Sequence, residues 1–206
     1  MGAATGSKEG AFMHVVDRPH QLGIGLLRIV VGVIFLWAGL EKVIGGGGEW
    51  SAAGFLQFAT GGSLGWPFVT GEVAEGTVFN PTRDIWVGMA GNETAMTIVD
   101  FLVPYGQIGI GVSLILGLLT RFGAAMGTLM MLMFFFAAWE FEFGIVNQHL
   151  TYAVVTAFLG FVGAGNYLGL DRQVGQRVSP TLRRWFFSGD PADVAAAEWH
   201  PGSAPA

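Results

Sequence analysis

Four apolar stretches of bilayer length, about 22–44, 97–119, 122–141 and 147–170, carry nearly all the apolar weight of the chain. At about 1.5 Å rise per residue, such runs make helices of roughly 30 to 36 Å, which matches a hydrocarbon core of about 30 Å. Lipid offers no partner to a bare backbone, and no alternating strand pattern is present, so helices are the workable form. The reading is an all-α membrane protein: an antiparallel four-transmembrane-helix bundle with an extracytoplasmic cap between helices 1 and 2. Charged residues make up only 12% of the chain, against about 25% in a soluble domain. The aqueous parts must therefore be small.

Lys8, Arg18, Arg121, Arg172, Arg177, Arg183 and Arg184 fall on the side shared by both termini. By the positive-inside rule, both termini are expected in the cytoplasm of a prokaryote, with the chain multi-pass in its plasma membrane. The first apolar run is too long for a cleaved signal segment and is expected to remain as an anchor. This divides the chain into a cytoplasmic lead segment (1–21), a four-helix membrane domain (22–172) and a cytoplasmic tail (173–206). The connection 45–94 faces outward, with Glu49, Glu72, Glu75, Asp84 and Glu93 against Arg83. Its length predicts a packed cap or lid, with a short helix from Ser51 to Ala59. Asn92-Glu93-Thr94 reads as an N-glycosylation sequon on that side. The other connections are tight, so neighbouring helices form antiparallel hairpins. In the tail, Thr181 to Phe187 reads either as a short amphipathic helix in the headgroup region or as a basic flank without structure.

Several chemistries are excluded. With no cysteine, the chain has no thiolate nucleophile, dithiol exchange or iron–sulfur ligation. Only His149 lies within a span, so neither a bis-His haem nor a di-iron site is expected, and no metal. A net charge of −5 without a basic stripe argues against a nucleic-acid partner. The expected partners are membrane lipid and either other protein subunits or further copies of the chain.

Small residues recur where helices would meet: Gly25, Gly32 and Gly39 on the first, Gly106, Gly109, Ser113 and Gly117 on the second, Gly123 and Gly127 on the third, and Thr156, Gly160 and Gly163 on the fourth. Their structural role is close helix approach. Pro104 is expected to kink the second helix near its outer end.

Two polar clusters remain. The cytoplasmic one, Arg28, Arg121, Asp171 and Arg172 with Asn166 and Tyr167, reads as a structural anchor in which Arg28 snorkels or pairs with Asp171. At the outer ends, Trp37, Glu41, Lys42, Asp100, Tyr105, Gln107, Glu140, Glu142, Asn147, Gln148, His149 and Tyr152 converge at one depth. Ionisable groups inside spans often mark function. Trp37, Glu41, Lys42, Glu140, His149 and Tyr152 are therefore the candidate cofactor-binding set. A His beside carboxylates suits proton exchange with a membrane quinone. The alternative is an ion pair of Lys42 with Glu140 or Glu142, His149 merely capping or lining its helix.

Three segments, LRIVVGVIFLWAGLEKV (27–43), LILGLLTRFGAAMG (114–127) and VGAGNYLGLDR (162–172), resemble the DoxX family. WSAAGFLQFATGG (50–62) resembles more narrowly its DoxD members, the membrane subunit of thiosulfate:quinone oxidoreductase. The resemblance implies an integral subunit that passes electrons from thiosulfate or another sulfur compound to a quinone, with a small partner subunit outside. The competing reading is a non-catalytic scaffold subunit of a larger respiratory or cell-surface complex.

Overall fold

The structure, a computed structural model, describes residues 19–45, 50–58, 60–61, 63–64, 79–141 and 146–188. The expectations for Lys8, Arg18, Glu49, Glu72, Glu75 and Glu142 lie outside the described residues, as does most of the tail. The elements in order are α1 (Pro19–Leu40), a π-helical turn (Glu41–Gly45), α2 (Ala53–Phe58), α3 (Arg83–Ala90), α4 (Glu93–Leu116), α5 (Thr120–Ala138), α6 (Gln148–Phe161), a 3-10 turn (Ala164–Asn166), α7 (Asp171–Gly175) and α8 (Pro180–Phe186). Strand structure among the described residues amounts to one two-residue parallel pairing, Ser63 with Glu140 and Leu64 with Phe141. Among the described residues, three helices are long and apolar enough to cross a membrane: Pro19–Gly45, Glu93–Leu116 and Thr120–Ala138.

The fourth apolar stretch departs from the expected span. Its helix stops at Phe161 after 14 residues, or about 21 Å. Gly163 then turns left-handed at φ 64° and a 3-10 turn follows. Hydropathy alone does not register this break, because the residues on both sides of it are apolar. The short helix expected from Ser51 to Ala59 is present as α2. Its start is held by Asp100, whose carboxylate accepts from Ser51 Oγ and Ala52 N, both at 2.8 Å. α4 runs through Pro104 as one element.

One core is drawn from four helices: Val31 and Phe35 of α1, Ile110 and Leu114 of α4, Ala124 and Met131 of α5, and Ala153 and Leu159 of α6. Close backbone approach sets the pairing. A Cβ on Gly32 would lie 2.8 Å from Ile115 N, and one on Gly39 would lie 2.7 Å from Pro104 O, so α1 and α4 run antiparallel in contact. Gly160 meets Ala124 and Gly127 meets Ile110, Phe35 and Thr156. The small-residue stripe expected on α4 needs correction. Gly109 faces open space, and the glycine that admits α1 is Gly111.

A second, smaller apolar cluster (Ala52, Leu56 and Met96, with Trp50, Trp86 and Met89 against it) seats α2 and α3 on the first turns of α4. Asn80 ties this region to α5. Its Nδ2 donates to Phe136 O at 3.1 Å and Ala137 O at 2.8 Å, carbonyls that the end of α5 leaves without helical partners. Its Oδ1 accepts from Thr82 N at 2.8 Å. Asn92, first residue of the sequon, caps α4 by accepting from Ala95 N at 3.0 Å.

The two ends of the helices differ in charge. One carries Arg121, Arg172, Arg177, Arg183 and Arg184, and is called the arginine end below. At it, α8 docks through Phe186 against Phe122, ring centroids 5.4 Å apart, and through Arg121 Nη1 donating to Arg184 O at 2.6 Å. Of the two readings of this tail segment, the structure has it as a helix.

Candidate functional site

At the far end, opposite the arginines, the structure gathers part of the expected polar set and separates the rest. Trp37 is 70% exposed. It stands roughly 200° around α1 from Gly39, the residue against α4, and so faces away from the helix contact. Glu41 is exposed in the π-helical turn. Lys42 turns back on its own chain, donating from Nζ to Ala38 O at 3.0 Å and lying 5.7 Å from the centroid of the Trp50 ring. That cation–π contact and the backbone bond replace the expected ion pair with Glu140.

Glu140 and His149 are neighbours, because the start of α6 is tied back to the end of α5. Asn147 caps α6 by accepting from Leu150 N at 2.9 Å, while its Nδ2 donates to Glu140 O at 3.0 Å. This brings His149, one residue into α6, beside the last turns of α5. Its ring stands edge-on to Phe134 at 5.9 Å, and Glu140 is the charged neighbour acting on it. His149 Nδ1 is buried and has no hydrogen-bond partner among the described residues. Tyr152, about one turn further, packs partly buried against the core. Gln107 of α4, 4% exposed, likewise holds a buried Oε1 with no such partner. It lies about one turn from Ile110, toward the far end. The imidazole nitrogen suits an oxygen-bearing guest or water, and the amide oxygen, which only accepts, calls for a donor such as water, since unpaired buried polar atoms are unfavourable.

The arginine-end cluster is more deeply buried than its reading as a snorkelling anchor implies. Arg28 is 0% exposed. Its guanidinium donates to Leu114 O, to Ile115 O at 3.2 Å, to Tyr167 O at 3.3 Å and to Leu168 O at 3.0 Å. A cation thus closes the C-terminal end of α4, where the helix dipole favours it. Asp171 takes the complementary place at the start of α5. Its Oδ2 accepts from Thr120 N at 3.2 Å and from Ser188 N at 3.0 Å. Each charge finds backbone of opposite polarity, so the structural assignment of this cluster stands, by a route other than a direct pair. Asn80 was missed from the sequence, although Asn80-Pro81 is itself a turn signal.

A family model described as DoxX matches residues 23–140, more than half of the chain. No curated protein and no solved structure matches. The chain belongs to the DoxX family and, with its long apolar helices, is a membrane protein.

Proposed function

We propose that this DoxX-family chain is the membrane subunit of a quinone-linked oxidoreductase and that the quinone headgroup sits at the far end of the helices beside His149. The observation that carries this reading is the half-buried His149 ring, packed on Phe134 with Nδ1 unpartnered among the described residues. The nearby resemblance of 50–62 to DoxD supplies thiosulfate, or another sulfur compound, as the electron source, with a partner subunit on that side. A bound quinone would supply the two-electron, two-proton chemistry that no side chain of a cysteine-free chain offers. The chain's own part is to position and to exchange protons. His149, beside Glu140, holds or gives up a proton at a ring nitrogen. Phe134 and the core around Tyr152 keep water from the ring.

In this reading α1, α4 and α5 each cross the membrane, α6 together with the irregular stretch 162–170 makes the fourth pass, and α2 and α3 cap the bundle, with the arginine end in the cytoplasm of a prokaryote. Cysteines placed at the exposed Thr94 and Ser179 should be labelled by a membrane-impermeant maleimide from opposite faces of sealed vesicles. Labelling of both from one face would refute the topology. The scaffold reading draws on a different observation, the outward Trp37 and the tethered Lys42, which leave a smaller polar site than the sequence suggests.

The two readings separate in the purified native complex. His149→Gln, close to the imidazole in size, should lower quinone reduction by about 100-fold or more, the usual worth of a positioned general acid or base. Thermal stability should hardly change. Wild-type turnover in that variant would leave the scaffold reading standing.

A further inference from the structure

At the arginine end, the last turn of α4 and the irregular stretch after α6 leave an open groove of about 550 Å³ between them. Its walls are Ile115, Leu116, Leu168 and Leu170, and Arg172 and Gln173 stand at its edge. This volume is in the range of small-molecule sites, about 300 to 1,000 Å³. We propose that the groove holds an acyl chain of an anionic phospholipid from the leaflet at this end, with the lipid phosphate against Arg172 and Gln173.

Three observations converge on that occupant. The groove opens to the side of the helices: Leu116 is 45% exposed, Leu168 46% and Leu170 38%. In a membrane protein these positions face lipid tails near the boundary, because α4 ends at Gly117. Its polar rim is cationic. Arg172 is exposed beside the groove, and the carboxylate of Asp171 is buried and engaged by Thr120 N and Ser188 N. Finally, α8 presents Leu182 (50% exposed) and Trp185 (70% exposed) next to Arg184. A Trp with flanking arginines marks the headgroup level. Apolar walls below that level and a cation at it match a phospholipid in both halves. A basic pocket at a helix-bundle edge is a known physical solution for anionic headgroups.

The test uses the full chain in detergent and native mass spectrometry, titrating phosphatidylglycerol against phosphatidylcholine of the same acyl chains. Wild type should retain one phosphatidylglycerol in preference to phosphatidylcholine. Arg172→Gln should lower that affinity about fivefold, the worth of one cation near an anionic lipid surface. Arg177→Gln, outside the groove, should leave it unchanged. Leu116→Trp, which fills the groove, should weaken both lipids, and unchanged melting temperatures would show that all variants fold. Equal retention of the two lipids by wild type would overturn the proposal. So would an equal loss in Arg177→Gln and Arg172→Gln, or undiminished binding in Leu116→Trp.

Discussion

Replacing Arg28 by Met should destabilise the protein by about 3 to 5 kcal/mol, the usual range when one member of a buried ionic arrangement is removed. Met preserves much of the apolar stem, so the loss reports the guanidinium. Without it, the carbonyls of Leu114, Ile115, Tyr167 and Leu168 lose their donors, each at an unfavourable desolvation of about 1 to 3 kcal/mol where water does not enter. Asp171, 1% exposed, then loses the cation that acts with it. Arg28→Lys should recover part of the loss, since an ammonium reaches one or two of these carbonyls where the planar fork reaches four. Asp171→Asn should be milder, about 1 kcal/mol, because its amide oxygen can still accept from Thr120 N and Ser188 N. Reversible unfolding in mixed detergent micelles measures all three. Wild-type stability in Arg28→Met would show that the cation is not what joins α4 to the segment after α6.

The same residue shows what the sequence made legible and what it withheld. Arg28 sits three residues after Gly25 and four before Gly32, which places it on the α1 face that meets α4. Its depth was hidden because the space for it comes from elsewhere. A Cβ on Gly117 would lie 2.8 Å from Arg28 Cζ, so the pocket depends on a glycine distant in sequence. Helix lengths follow from hydropathy, and α1, α4 and α5 are found close to their expected places. Starts move by two to four residues, and that of α4 is set by its cap Asn92 rather than by apolarity. The fourth stretch fails for a related reason, since a positive φ at Gly163 and Leu168 leaves no trace in an apolar run. The candidate site was read from depth along each helix, and depth says nothing about azimuth. Trp37 has the right height and the wrong side, whereas Glu140 and His149 are neighbours because Asn147 ties the start of α6 to the end of α5.

Azimuth also decides the largest packing effect. Gly111→Leu should remove most of the folded protein from detergent extracts, and Gly111→Ala alone should cost about 1 to 3 kcal/mol, the range for overpacking a tight contact. The added Cβ would stand 2.5 Å from Leu36 N and 2.8 Å from both Gly32 O and Leu36 Cα. All of these are backbone atoms, so no side chain can swing aside and the helices must part. Gly32→Leu should behave alike, since its Cβ faces Ile115 N at 2.8 Å and Gly111 O at 3.0 Å. Gly127→Ala should be tolerated, because its nearest neighbours are side-chain carbons at 3.3 to 3.4 Å. Gly109→Ala, with nothing within 4 Å, should be neutral, within about 0.5 kcal/mol. Equal melting temperatures for the Gly109 and Gly111 alanine variants would refute this helix register. The Gly32–Gly111 contact lies between the two ends of the α1–α4 pair. Forcing it open should therefore loosen both the Arg28 carbonyl contacts and the Lys42–Trp50 region, which hydrogen exchange would register at both ends of α4 at once.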